Sequence, residues 1–330
     1  MTRPTPSLVV ERSALDHNIA TIGETLPGDR LRPHVKAFKS TALARRLADA
    51  GHRNFTCATV REVEGMAAAG LGDDLLLANE VLDHDLLTRL AAVDAMVTLA
   101  VDSEEGIRRA AAAGITHVLI DVEVGLPRCG VAPERAGRLA DHARTAGLEV
   151  RGVMGYEGHL MMIHDRATRA AKVETAMAML LAAADEVGGA IISAGGTGTY
   201  DVNTWATEIQ AGSFVVGDSH YATLDLGFEQ ALFVEGSVLS ISDKGWLVAN
   251  VGLKALGMDH GDPTWPGGDV LFCSDEHVTL TSADPASVEL DQRIRLIPAH
   301  VDPTIAKHEC LWLVDGDETI ERLPIDLRHW

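Results

Sequence analysis

Eight short apolar, β-branched runs recur along the first two-thirds of the chain, at residues 31–38, 53–59, 73–81, 95–101, 117–124, 149–156, 190–194 and 208–216. Ala- and Arg-rich stretches separate them. Those at 41–51, 60–70 and 103–114 carry apolar residues at three- and four-residue spacing and end in Gly. Such runs read as strands buried on both faces, and the stretches between them as amphipathic helices stopped by glycine. Eight βα units closing on themselves make a (β/α)8 TIM-like barrel, expected here over residues 11–232. The competing arrangement is a doubly wound open sheet.

From about residue 233 the texture changes. Segments 236–242, 245–251, 269–273, 277–282, 293–298 and 311–314 are short and strand-like, with turn residues between them and no amphipathic helix. A C-terminal all-β domain over 233–330 is expected, joined by residues 1–10 through a strand at 7–10. A length of 330 residues accommodates a barrel with such an appendage.

Charge narrows the partners. Lys and Arg total 28 against 48 Asp and Glu, a formal net charge of -20. Nothing in that balance collects phosphates, so neither nucleic acid nor an anionic membrane is an expected partner. Cys57, Cys129, Cys273 and Cys310 lie far apart without a CxxC pair, as in a reduced, cytoplasmic protein. The first residues lack the long apolar stretch of a signal peptide, and no window nears the ~18 uninterrupted apolar residues of a membrane span.

In a βα barrel the reacting groups come from the C-terminal ends of the strands. The first predicted strand ends Arg32-Pro33-His34-Val35-Lys36-Ala37-Phe38-Lys39. A lysine inside an apolar strand has its charged form disfavoured by burial, which suits a Schiff-base lysine; the plainer reading is that Lys36 reaches solvent from a strand end. After the seventh and eighth runs come Gly195-Gly196-Thr197-Gly198-Thr199 and Ala211-Gly212-Ser213, where barrels commonly hold phosphate on backbone amides and small hydroxyls. Arg128 follows the fifth run and could hold a phenolate or carboxylate, or simply start a helix. After the sixth run, Tyr156 could pack on a flat ring and His159 could move protons, or be a hydrogen-bonded histidine without chemistry. In the β domain His300-Val301-Asp302 sets an imidazole and a carboxylate two residues apart. In an extended segment both would face one way and could share a divalent cation; a plain hydrogen bond is the bland alternative. Ser274-Asp275-Glu276-His277 reads as a polar turn or a site wall.

In order along the chain, residues 6–10, Arg32-Pro33-His34-Val35-Lys36, 121–130, 156–159, 195–199, 207–213 and His300-Val301-Asp302 resemble the metal-activated D-threonine aldolase and D-serine dehydratase family. That family consists of alanine-racemase-like pyridoxal 5′-phosphate enzymes of barrel-plus-β-domain architecture. The resemblance runs from about residue 5 to 315. It implies that Lys36 carries the cofactor and that Arg128 lies beside its phenolic oxygen. It implies likewise that Tyr156 lines the ring, that Gly196, Thr197, Gly212 and Ser213 cradle the phosphate, and that His300 and Asp302 bind the metal. Within the family a His-x-Asp pair goes with aldolases and a harder ion, Mn²⁺ or Mg²⁺ before Zn²⁺, in keeping with carboxylate hardness.

The implied activity is cleavage of a D-β-hydroxy-α-amino acid to glycine and an aldehyde, by a homodimer acting on a small amino-acid substrate. Lys36 and His159 are the expected catalytic residues. A dehydratase, an amino-acid racemase and a non-enzymatic pyridoxal-phosphate carrier are the alternatives, the last opposed by the β domain. Ala37 and Phe38 stand where the family has Thr and His, Asn250-Val251-Gly252 where it has Asp-Ala-Gly, and Glu276-His277-Val278 where it has Glu-His-Gly. These departures bear on the substrate rather than on the cofactor.

Overall fold

The computed structural model describes residues 3–330. The chain opens with strand β1 (Ser7–Glu11) and helix α1 (Arg12–Thr25). Seven parallel strands follow: β2 (Asn54–Cys57), β3 (Asp74–Leu77), β4 (Val97–Val101), β5 (His117–Asp121), β6 (Glu149–Gly155), β7 (Ile191–Ala194) and β8 (Glu208–Ile209), hydrogen-bonded in that order. Helices α2 (Thr41–Asp49), α3 (Val60–Ala68), α4 (His84–Ala91), α5 (Glu104–Ala113), α6 (Ala136–Thr145) and α7 (Arg166–Val187) alternate with them. The helix starts follow local chemistry. Side-chain oxygens of Thr59, Asp83, Ser103 and Asp165 accept the N–H groups of Glu62, Leu86, Gly106 and Thr168, which lack partners within their own helices.

The eighth barrel position is taken by residues 31–34, through parallel bridges of Leu31 to Ile209 and His34 to Thr56. The N–H groups of Arg32 and His34 donate to the carbonyls of Ile209 and Ala211, and Thr56 N–H donates to Pro33. This position is shorter than the strand expected over 31–38. Pro33 has no N–H for a ladder, and residues Val35–Ala37 close into a single 3₁₀ turn. Lys36 therefore stands on a turn at the C-terminal end of the barrel position, not inside a strand. The run 208–216 likewise shrinks to β8, followed by a 3₁₀ turn at Ser213–Val215.

Inside the barrel, layers follow the two-residue period of strands. Leu76, Ala100, Leu119 and Met154 form a buried apolar cluster. Two residues earlier on β3 and β4 come Asp74 and Thr98, in a polar layer with Arg32, Arg151 and Glu208. Arg32 Nε donates to Glu208 at 2.7 Å and its Nη1 to Asp74 Oδ1 at 3.3 Å. Arg151 bonds both Asp74 oxygens at 2.9 and 2.7 Å, and Thr98 Oγ1 at 2.6 Å. Burial pushes the Asp74 carboxyl up, but the bonds from Arg151 and Arg32 outweigh it and leave the group below the ordinary carboxylate range. Its folded pKa is thus depressed. The stability it contributes is present above the unfolded pKa and is lost as pH falls through the folded one.

Arg32→Met is expected to destabilise the protein by about 3–5 kcal/mol, because Glu208 would remain buried without its cation. Adding Glu208→Leu should recover much of that loss. Urea unfolding at neutral pH checks both variants; equal midpoints for wild type and Arg32→Met would refute the claim.

The second sheet is mostly antiparallel. It comprises β9 (Leu232–Ile241), β10 (Leu247–Ala249), β11 (Gly268–Cys273), β12 (Val278–Ser282), β13 (Arg293–Leu296), β14 (Cys310–Asp315) and β15 (Glu318–Pro324) together with β1. Strand β1 lies between β9 and, in parallel, β14. A short helix, α8 (Val301–Ala306), interrupts this region, contrary to the helix-free texture expected from the sequence. By internal contacts the chain divides into two compact units. One comprises the N-terminal residues as far as Thr21, Ala37–Leu43 and Ser213–Asp326; the other comprises Ile22–Lys36, Ala44–Gly212 and Leu327–Trp330. Residues 213–232, assigned to the barrel from the sequence, go with the β-rich unit in this division. Among the described residues no helix is long and apolar enough to cross a membrane.

Candidate active site

Within the barrel unit, Lys36 and the loops after β5, β6 and β7 lie at the C-terminal ends of parallel strands. Tyr156 links several of the expected residues. The Arg128 guanidinium carbon is 5.3 Å from the centre of its ring. Gly196 also meets it: a Cβ there would come within 3.5 Å of the Tyr156 ring and 3.0 Å of the Met161 sulfur. His159 is exposed and rests against Gly125, in the same loop as Arg128. A Cβ at Gly125 would lie 2.9 Å from the imidazole, and its φ of +113° already favours glycine. Thr197 is buried, and Gly212 follows β8 beside the carbonyl that receives His34. Arg128, Tyr156, His159 and Gly196 are thus gathered. Ser213 begins the 3₁₀ turn of the other unit.

The shape of the glycine loop comes from a residue the sequence reading passed over. Glu157 is fully buried. Its carboxylate accepts from Gly195 N–H, Thr199 Oγ1 and Asn203 Nδ2, each at 3.0 Å. Thr199 Oγ1 in turn accepts from Gly196 N–H at 3.3 Å. Two loop amides are therefore committed internally. The signal available was a carboxylate inside Tyr156-Glu157-Gly158-His159, beside residues singled out for chemistry.

Glu80, Asp102 and Cys129 form an acidic group around Asp121, at the end of β5. Burial, then the charge of Glu80 and a hydrogen bond with it, push the Asp121 carboxyl well above its ordinary range. Burial also raises the Cys129 thiol to about 11, with Glu80 adding to the effect, so this is an inert thiol.

In the β-rich unit, His300 and Asp302 do not lie on an extended segment. His300 is the N-cap residue of α8 and Asp302 belongs to its first turn. The turn exists because Asp218, itself 1% exposed, accepts the Val301 N–H at 3.0 Å while its other oxygen accepts Tyr221 N–H at 2.9 Å. Burial pushes the Asp218 carboxyl above its ordinary value against those two bonds, with the charges of His300 and Asp302 both acting on it. His300 and Asp302 thus stand at a helix start rather than on an alternating strand, and both lie near enough to Asp218 for their charges to act on it. Asp259, His260 and His220, all missed from the sequence, surround His300. Asp259 Oδ2 is 2.6 Å from His300 Nδ1, His260 stacks on the His300 ring and His220 meets His260 edge-on. The Asp259-His260 doublet was the legible hint. Ser274-Asp275-Glu276-His277 is an exposed turn, closed by Ser274 N–H to the His277 carbonyl, with Glu276 paired to Lys254.

Comparison with known proteins agrees with this architecture. The family described as alanine racemase, N-terminal domain, matches residues 10–220, and a putative serine dehydratase domain matches 231–314. The chain is 32% identical to 3-hydroxy-D-aspartate aldolase of Paracoccus denitrificans (strain Pd 1222), covering 94% of this chain and 88% of that protein. It is 31% identical to D-threonine aldolase of Arthrobacter sp., over 94% and 89% of the two chains. The crystal structure of D-threonine aldolase from Filomicrobium marinum superposes with a TM-score of 0.92 at 31% identity, covering 98% of this chain and 96% of that one. With its parallel barrel sheet followed by a separate β-rich sheet, the chain belongs to the D-threonine aldolase and D-serine dehydratase family of alanine-racemase-like enzymes.

Proposed function

We propose that this protein is a lyase that uses pyridoxal 5′-phosphate and a divalent metal to cleave D-configured β-hydroxy-α-amino acids into glycine and an aldehyde. The observation that carries the reading is the start of α8, where His300 and Asp302 stand two residues apart, Asp218 accepts the Val301 N–H between them and Asp259 meets the His300 imidazole. An oxygen and a nitrogen donor suit Mn²⁺ or Mg²⁺ and leave room for water, with Zn²⁺ the softer alternative.

The residues present fit both groups. A Cβ at Gly196 would crowd the Met161 sulfur at 3.0 Å and touch the Tyr156 ring at 3.5 Å, so a small residue suits this loop at the C-terminal end of β7. Thr197 with Gly196, and Gly212 with Ser213, would hold the cofactor's phosphate, Arg128 and Tyr156 the ring, and Lys36 the aldehyde carbon. Bound there, the cofactor supplies an electron sink for the pair left on Cα. His300 and Asp302 would hold the ion that makes the β-hydroxyl more acidic. Cleaving Cα–Cβ turns that hydroxyl into the aldehyde oxygen, so a base must take its proton and an acid must return one to Cα. His159, exposed beside Arg128's loop, is the group we assign to the hydroxyl proton.

A panel of D- and L-β-hydroxy amino acids tests the reading. Glycine plus aldehyde from the D-series alone is the expected result. A 2-oxo acid with ammonia would mark a dehydratase, in line with the serine dehydratase domain matched at 231–314. Enantiomer exchange without cleavage would mark a racemase.

A further inference from the structure

We infer that Asp259 sets the tautomer and orientation of His300, and through them the affinity of the divalent-ion site; this rests on the reading of His300 and Asp302 as its ligands. Asp259 Oδ2 lies 2.6 Å from His300 Nδ1. A carboxylate can only accept, so Nδ1 carries the hydrogen and the ring's lone pair stands on Nε2. A metal-bound histidine is commonly held this way, with its second nitrogen donating to a carboxylate that fixes the ring and raises its basicity.

The surroundings hold that arrangement in place. The His260 ring lies parallel to His300, with centroids 3.9 Å apart and planes 6° from one another, and the His220 ring abuts His260 at 4.8 Å and 69°. Ligand lone pairs lie in the ring plane, so one ion cannot sit in both parallel planes. Although Asp259, His260 and His300 offer ligand atoms within 4.8 Å of one another, the stacked rings lead us to assign His260 to limiting rotation of His300 rather than to the ion. The loop bearing Asp259 is also tied to α8. Gly257 N–H donates to Thr304 Oγ1 at 2.9 Å, and that hydroxyl donates to the His300 carbonyl at 2.7 Å. With Asp218 on the Val301 N–H, the peptide that joins His300 to Val301 is held at both its carbonyl and its N–H. Asp259 itself has a side chain 54% exposed, so burial does not dictate an acid at this position and its replacement is compatible with folding.

The test is calorimetric titration of Mn²⁺ into the cofactor-loaded full chain, stripped of metal, for wild type, Asp259→Asn, Asp259→Leu and His300→Ala. Asp259→Leu is expected to bind Mn²⁺ about 10–100-fold more weakly. Asp259→Asn, whose carbonyl oxygen can still accept from Nδ1, should fall between, and the cofactor's absorbance should be the same in all three. In the ring ¹⁵N spectrum Zn²⁺, a diamagnetic probe, should move the Nε2 resonance of His300. Affinity of Asp259→Leu within about twofold of wild type, alongside a large loss in His300→Ala, would overturn the role of Asp259 while leaving the ligand reading intact; twofold is well inside the expected effect. A Zn²⁺ shift at Nδ1 would also overturn it, since Asp259 could not then be the hydrogen-bond acceptor. Unchanged affinity in His300→Ala would refute the ligand reading itself, and this proposal with it.

Discussion

Borohydride reduction of the cofactor-loaded protein is expected to leave a pyridoxyl group on Lys36, found by peptide mapping, and on no other lysine. Lys36 stands on the 3₁₀ turn at the C-terminal end of a barrel position, the face on which barrel enzymes carry their reacting groups. The competitors are differently placed. Lys39, three residues on, has a left-handed backbone with φ of 45°, and Lys254 is exposed and paired with Glu276 at 2.6 Å. Lys36→Ala should keep its fold, because the side chain is only half-buried. Turnover should fall by on the order of 10³-fold or more, the scale seen when a group that acts directly on the reacting atoms is removed. Unchanged circular dichroism alongside lost turnover is the expected pairing. Label on Lys39 or Lys254 would move the whole site by a register.

Exhaustive chelation should abolish cleavage while the cofactor's absorbance persists, and added Mn²⁺ or Mg²⁺ should restore activity. A Lewis acid supplies several kcal/mol at the transition state; about 4 kcal/mol corresponds to ~10³-fold in rate. His300→Ala should behave as permanently chelated enzyme. Asp302→Cys keeps two donors but softens the site, so Zn²⁺ should gain on Mn²⁺ in competition. Metal content by elemental analysis, measured with the rates, checks the series. Full activity in a chain free of metal would end the aldolase reading and favour a racemase.

Much of this molecule was legible in residue order. The runs at 53–59, 73–81, 95–101, 117–124, 149–156 and 190–194 each contain one strand of the parallel sheet, and α2, α3 and α5 fall inside the glycine-ended stretches. Periodicity finds such elements because a side chain's exposure depends on its neighbours two, three and four places away. The loops after strands one, five, six, seven and eight could be assigned to one face for a related reason, since parallel strands of a barrel end on the same side.

Where the reading stopped, the partner was distant in the chain. Residues 35–37 look like the end of an apolar strand, yet the pairing with Ile209 and Ala211 stops at His34 and the chain closes into a turn. His300 and Asp302 look like alternating strand residues, yet Asp218, from a separate segment, caps Val301 and starts a helix there. Glu157 looks like one more acid until Gly195, Thr199 and Asn203 close on it. Local sequence determined which elements form and which reactive groups they carry, because periodicity and capping act over a few residues. The tertiary structure alone decided how those groups are held, because a hydrogen bond requires a partner within about 3 Å, and only the folded path of the chain supplies one.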